Sequence, residues 1–185
     1  MARVLVPLAE GFEELEAVTV VDLLRRAGIE VLVAGLEEGP VSGSHGITLL
    51  PDTSLSEALA GEFDMVALPG GLPGSDHLRA DARLRKFLQS MAASGKFTAA
   101  ICAAPRVLAG AGLLEGRRAT SYPGALGAGD LQGVSYEENA VVTDGKVITS
   151  RGPGTAIDFA LALIGALSGP KIKQQVEQGL QRQAA

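Results

Sequence analysis

Short, almost wholly apolar runs alternate along this chain with stretches patterned every three to four residues, and few folds accept that order. Arg3 to Leu8, Ile29 to Leu36, Asp64 to Leu68 and Phe97 to Ile101 are too short for buried helices. They read as strands shielded on both faces. Between them, Phe12 to Ala27 reads as a helix stopped by Gly28. Ser54 to Ala60 reads as a short helix, with Ser54 as its cap and Glu57 completing a capping box. Val41 to Leu50 reads as two short strands around Ser44-His45-Gly46, and Asp81 to Ala93 as a helix ending near Gly95. Beyond the strand at 97–101 come a helix from Ala104 to Ala111 and a brief strand from Arg118 to Ser121. A hairpin follows from Asn139 to Ser150, turning at Asp144-Gly145. An apolar helix from Thr155 to Leu167 and a polar one from Lys171 to Gln181 complete the chain. The alternation predicts an α/β fold, a mostly parallel sheet with helices on both faces, forming a single domain over residues 1–185.

Ligands in such sheets sit beyond the carboxyl ends of the strands. Three unusual segments fall there: Gly11-Phe12-Glu13-Glu14, Pro69-Gly70-Gly71 and Cys102-Ala103-Ala104. The core must come from Val, Leu, Ile and Ala, because aromatics are only 4% and tryptophan is absent. A net charge of -5 with no basic cluster argues against a nucleic-acid partner. A lone cysteine excludes an internal disulfide and fits a reducing compartment, so a cytoplasmic location is expected. Ala2 to Leu8 is too short for a signal sequence. The apolar stretch near the C-terminus is interrupted by Asp158 and by glycines, so no membrane association is expected.

Cys102 stands where an apolar strand runs directly into a helix. Small neighbours let the backbone bend there, and Pro105 suits a first helical turn, where no amide donor is needed. The mechanics resemble a nucleophile elbow. A helix N-terminus favours the thiolate, which predicts a low-pKa thiol, and the Ala103 amide could steady an oxyanion. The bland reading of the same residue is a buried structural cysteine.

Glu13, Glu14 and Glu16 share the first helix. Acidic residues in a first turn usually complement the helix dipole on a solvated face, which suits Glu14. Glu16 instead falls inside the apolar arc of Val20, Leu23 and Ala27, with Glu13 at its edge. A carboxyl there would have a raised pKa and could exchange a proton with a thiolate. Periodicity leaves Glu13 and Glu16 both open. Gly70 and Gly71 follow a strand, where free amides could line an oxyanion site, although a plain turn also explains them. No nucleotide-binding glycine motif is present, and His45 and His77 lack metal-ligand spacing, so neither cofactor nor metal is expected. Arg151-Gly152-Pro153-Gly154-Thr155 opens a helix after a strand, a place that can hold an anion.

Several stretches together resemble the ThiJ/PfpI superfamily, in its Parkinsonism-associated deglycase branch. They are Glu13-Glu14-Leu15-Glu16, Val21 to Gly28, Leu68-Pro69-Gly70-Gly71, Ala99 to Pro105 and Thr149 to Thr155, in the family's order. The resemblance implies a flavodoxin-like three-layer sandwich, similar to class I glutamine amidotransferases, that forms a homodimer. It makes Cys102 the nucleophile and picks Glu16 as its carboxyl partner. It also makes the Gly71 and Ala103 amides oxyanion donors, with Arg26 and Pro153 reaching the site from a partner subunit.

This chain departs from the pattern at two places. Tyr122 stands where many relatives carry a histidine, and tyrosine is a poor base near neutral pH. His45 stands where the branch can carry an arginine near the dimer seam. The PfpI peptidase branch has a histidine directly after its cysteine; this chain has Ala103, which argues against peptidase activity. The implied activity is cofactor-free, glyoxalase- or deglycase-type chemistry on reactive dicarbonyls or early glycation adducts of proteins, in carbonyl-stress defence. Its rivals are a non-enzymatic redox sensor or chaperone that uses oxidation of Cys102, and a small-molecule hydrolase with the same nucleophile.

Overall fold

A computed structural model describes residues 1–182. Strand β1 (Arg3–Leu8) leads into helix α1 (Glu14–Arg26) and strand β2 (Glu30–Gly35). The hairpin β3 (Val41–Ser42) and β4 (Thr48–Leu49) follows, then β5 (Thr53–Ser54) and α2 (Leu55–Ala58). Next come β6 (Met65–Leu68), α3 (Gly74–Ala80), α4 (Ala82–Ala93), β7 (Phe97–Ile101) and α5 (Pro105–Gly110). The chain continues through β8 (Arg118–Ala119), β9 (Ser135–Tyr136), β10 (Val141–Asp144) and β11 (Val147–Ser150) to a single 3-10 turn at Pro153–Thr155 and helix α6 (Ala156–Gly179).

Seven strands form the central sheet in the order β10-β11-β7-β6-β1-β2-β5, parallel except where β10 meets β11. Alternating side chains divide the core into two layers, as a strand's period of two requires. Val4, Val6 and Leu8 face α1 and α6, meeting Val20, Leu24, Phe159 and Leu163. Leu5, Val66, Leu68 and Ala100 face the other side, against Leu55, Leu78, Leu84, Leu88 and Leu108. The chain runs outward from β1 to β2 and β5, then returns to β6 on the far side of β1. The order therefore reverses between β1 and β6, and a crevice opens above their carboxyl ends. This is the mostly parallel sheet with helices on both faces that the strand–helix alternation predicts, in the flavodoxin-like form that the resemblance implies.

Helix α3 and the strand after α5 differ from the sequence reading. Helix α3 has no counterpart in the sequence reading; Asp81 closes it and caps α4 by accepting from the Arg83 and Leu84 amides. The strand expected over 118–121 is two residues long and pairs in parallel with β9, which carries no apolar pattern of its own. The two C-terminal helices fall where the sequence places them: α6 is broken between them at Gly169, whose φ of 83° is left-handed and whose successor is Pro170. Residues 153–179 are long and apolar enough to cross a membrane by length and composition. Phe159, Ala160, Leu161, Leu163 and Ile164 are nonetheless buried, and Phe159, Leu163 and Ile164 belong to the cluster under the sheet, so that face of α6 is core.

Phe159 is completely buried, whereas half of Leu15 is exposed. Phe159→Ala is expected to lower unfolding free energy by about 3–5 kcal/mol. Leu15→Ala should change it by about 0.5 kcal/mol or less, both read from urea denaturation midpoints at constant m.

Candidate active site

Cys102 occupies the turn between β7 and α5 with φ 64°, a left-handed backbone that costs a non-glycine residue on the order of 1–3 kcal/mol. Three bonds hold it there. The Cys102 amide donates to the Ser150 carbonyl at 3.0 Å, the Cys102 carbonyl accepts from Tyr122 at 2.8 Å, and Ala104 N–H closes the turn onto Ile101 at 3.0 Å. The sulfur is half-buried and receives the backbone amides of Ala103 and Gly71. Helix α5 is only six residues long, so these two amides, rather than an extended helix dipole, supply the local positive field.

Glu16 comes up beneath the cysteine from α1 and is completely buried. Its Oε2 accepts the Gly70 amide at 2.7 Å, while Oε1 has no hydrogen-bond partner among the described residues. Gly70 is wedged between Cys102 and Glu16. A Cβ there would lie 2.7 Å from Cys102 Cβ, 2.7 Å from Glu16 Oε2 and 3.0 Å from the Ala103 nitrogen. The Gly70 carbonyl accepts the Glu13 amide at 2.9 Å, so one glycine fastens the start of α1 to the end of β6 in both directions. Gly71, at φ 91°, passes so close to the backbone of residues 11–13 that any Cβ would overlap it.

Burial pushes Glu16 up to about 7, against the Gly70 amide and the Cys102 hydrogen bond, with the Glu13 charge adding to the rise. Burial also pushes Cys102 up to about 12, with the charge of Glu16 and its hydrogen bond next and the Ala103 and Gly71 amides opposing. The thiol below its ordinary value that the sequence predicts is therefore not met while Glu16 is ionised. Two of the three upward causes belong to that charge and vanish once Glu16 holds a proton. The pair titrates as a unit.

The remaining sequence candidates fall into three groups. Glu13 lines the cleft over Cys102, whereas Glu14 is engaged by the 44–47 loop. Glu14 is not on a solvated face as expected: it is buried and accepts the His45 amide at 2.7 Å and the Ile47 amide at 3.1 Å. Burial raises it, but these amides, its own and the His45 ring outweigh that and bring it down to about 2. Gly43 leaves the space this carboxyl fills. The amide of Gly70 is not a free oxyanion donor, because Glu16 consumes it; Gly71 and Ala103 are the amides at the sulfur. Arg26 pairs with Asp22 of its own helix at 2.8 Å, and Arg151 donates to the Glu138 carbonyl at 3.2 Å; neither lines the cleft.

An open cleft of about 520 Å³ lies over Cys102, lined among others by Glu13, Ser44, His45, Tyr122 and Pro153. Pro153 and His45 thus reach the site from the same chain. Arg106, unremarked in the sequence, also lines it, with its guanidinium on Asp76 at 2.6 Å and on the Ala125 carbonyl at 2.9 Å. Its position one helical turn after Cys102 was the available signal. Glu13, Glu14 and His45 bring possible metal donors within 4.8 Å of one another, but both Glu14 oxygens already serve the 44–47 loop.

A parallel sandwich with a strained strand-to-helix cysteine over a buried carboxyl defines a class of cysteine-centred α/β proteins. The DJ-1/PfpI family profile matches residues 2–166, and the chain belongs to that family. Protein dj-1beta of Drosophila melanogaster is 46% identical over 178 residues, 95% of each chain. The crystal structure of Drosophila DJ-1beta superposes with a TM-score of 0.94 at 44% identity over 99% of both chains. A protein of Pyrococcus abyssi named a deglycase is 38% identical over 152 residues, 82% of this chain and 91% of its own.

Glu16 is raised on folding, so its stabilising contribution is complete below the unfolded value near 4.5 and is lost as pH rises through about 7. In a Cys102→Ser background, Glu16→Gln removes this titration. The stability of the Gln variant relative to its parent should then rise by up to about 3 kcal/mol between pH 4.5 and 8, measured by denaturant unfolding at each pH.

Proposed function

We propose that this protein is a cysteine-dependent, cofactor-free enzyme acting on reactive dicarbonyls or early glycation adducts, in defence against carbonyl stress. The observation that carries this reading is the Cys102–Glu16 pair, with the amides of Gly71 and Ala103 on the sulfur. The deglycase name of the Pyrococcus relative supports the same class of chemistry.

In the proposed route, the pair's single proton rests on sulfur, passes to Glu16 as substrate enters, and Cys102 reacts as thiolate. Sulfur adds to the aldehyde carbon of methylglyoxal, giving a hemithioacetal whose oxygen is held by the Gly71 and Ala103 amides. The C1 hydrogen leaves as a proton and C2 regains one, with Glu16 as the carrier. This internal transfer oxidises C1 and reduces C2, so no external oxidant is required. The product is a thioester of a hydroxy acid, and water releases lactate and restores the thiolate. Methylglyoxal turnover followed by lactate formation tests the reading. Wild type should turn over many times and Cys102→Ser should lose at least a hundredfold; stoichiometric consumption by wild type would overturn it.

One observation favours a second reading, a redox sensor. Cys102 is the only cysteine in the chain, so oxidation cannot be resolved by an internal disulfide. Its sulfur would stop at sulfenate or sulfinate, with the same two amides facing the added oxygens.

We further propose a homodimer, in the reducing setting of the cytoplasm. Leu15 and Val18 on α1, with Ile47 and Leu50 in and after the Glu14-anchored loop, are each about half exposed or more and offer apolar surface for such a contact. Sedimentation at micromolar concentration should give a dimer, and Val18→Asp should shift it to monomer while the helical circular dichroism remains. A wild-type monomer would contradict this assembly.

A further inference from the structure

The cleft holds a second carboxylate-bound group that the thiol chemistry does not use. His45 Nδ1 lies 3.1 Å from Glu14 Oε2, and the His45 backbone amide donates to Oε1 of the same carboxyl at 2.7 Å. Ser44 Oγ lies 3.0 Å from Nδ1 and 3.3 Å from Glu14 Oε2, completing the anchor. Glu14 is buried and well below the usual carboxylate range, so it stays charged and accepts from Nδ1–H. That fixes the neutral ring as the tautomer with a free Nε2 lone pair. The ring itself is 70% exposed, and His45 lines the cleft that also holds Cys102. A buried carboxylate on Nδ1 of an exposed, cleft-lining imidazole matches the pairing of a general base with the carboxylate that orients it.

Building on the dicarbonyl reading, we infer that His45 is the base that hydrolyses the Cys102 thioester, with Glu14 as its positioning residue. The chain needs such a group. Tyr122, which lines the same cleft, carries a phenol rather than an imidazole. Glu16 is buried beneath the sulfur and has no open face toward incoming water. In the step, Nε2 takes a proton from water as its oxygen bonds to the thioester carbon. The tetrahedral oxyanion collapses, and the carbon–sulfur pair returns to sulfur as thiolate. The hydroxy acid departs, and the imidazolium gives its proton to solvent. The charged and titratable groups around the ring are Glu13 and Glu14 from α1, Cys102 with Glu16 beneath it, Tyr122, and Arg106, which is already neutralised by Asp76.

The test uses p-nitrophenyl acetate, which acylates Cys102 directly and separates deacylation from dicarbonyl chemistry. Wild type should show a burst followed by steady turnover with a pH-dependent limb. His45→Ala should keep the burst and the Cys102 alkylation rate, slow deacylation on the order of a hundredfold, lose the limb and accumulate acetylated Cys102 by mass spectrometry. Added imidazole should restore turnover. Glu14→Gln, which keeps the shape but removes the charge, should move the limb to lower pH, an effect a purely structural role would not produce. Unchanged deacylation in His45→Ala, or a loss that imidazole does not rescue, overturns the inference. His45-dependent deacylation in an enzyme that does not turn over methylglyoxal would support the role of His45 while removing the dicarbonyl substrate.

Discussion

The hydrogen bond from the Gly70 amide to the buried Glu16 carboxyl is the contact on which the site is built. It joins the end of β6 to the first turn of α1, and the Glu13 amide returns the connection to the Gly70 carbonyl. Burying a carboxyl without full partners is costly, and the cost persists only where the surrounding chain over-determines it. Here the close packing of Gly70 against Cys102 and Glu16 leaves no room for either group to withdraw. Strain at Cys102 and desolvation at Glu16 are two parts of one arrangement. The rigid ends of three parallel strands sustain both.

Glu14 and Glu16 show how backbone donors, more than burial, decide a carboxyl's charge. Both are almost fully buried and lie two residues apart on one helix. Glu14 meets the amides of residues 45 and 47 and falls to about 2; Glu16 meets one amide and leaves an oxygen unpartnered, and rises to about 7. One therefore behaves as a permanent anion that ties down a loop, and the other as a group able to carry a proton. The same contrast separates structural from chemical carboxylates in many enzymes.

The sheet was legible because its strands are apolar runs whose length and order leave one architecture. Cys102, Gly70 and Gly71 were legible as residues at strand ends. Periodicity alone could not separate Glu13 from Glu16, since an angle on a helical wheel carries no information about which backbone amide waits opposite. For the same reason it put Glu14 on the surface. The loop that buries Glu14 comes from residues 43–47, and only the hairpin β3–β4 brings them there. Helix α3 and strand β9 were hidden by short, polar, glycine-bearing sequences whose conformation is set by their neighbours. The single-amide environment of Glu16 likewise depends on a turn 54 residues away.

The bond from the Cys102 amide to the Ser150 carbonyl has a temporal consequence. The cysteine's turn is held by a residue 48 positions later, in a strand that pairs beside β7 only when the last quarter of the chain has been made. While the nascent chain emerges, residue 102 lacks this partner and the Tyr122 amide, and its thiol is an ordinary, solvated one. The left-handed turn that sets it over Glu16 is secured late, once β11 joins the sheet. A ribosome-bound or truncated chain would thus carry the cysteine without the turn that sets it over Glu16.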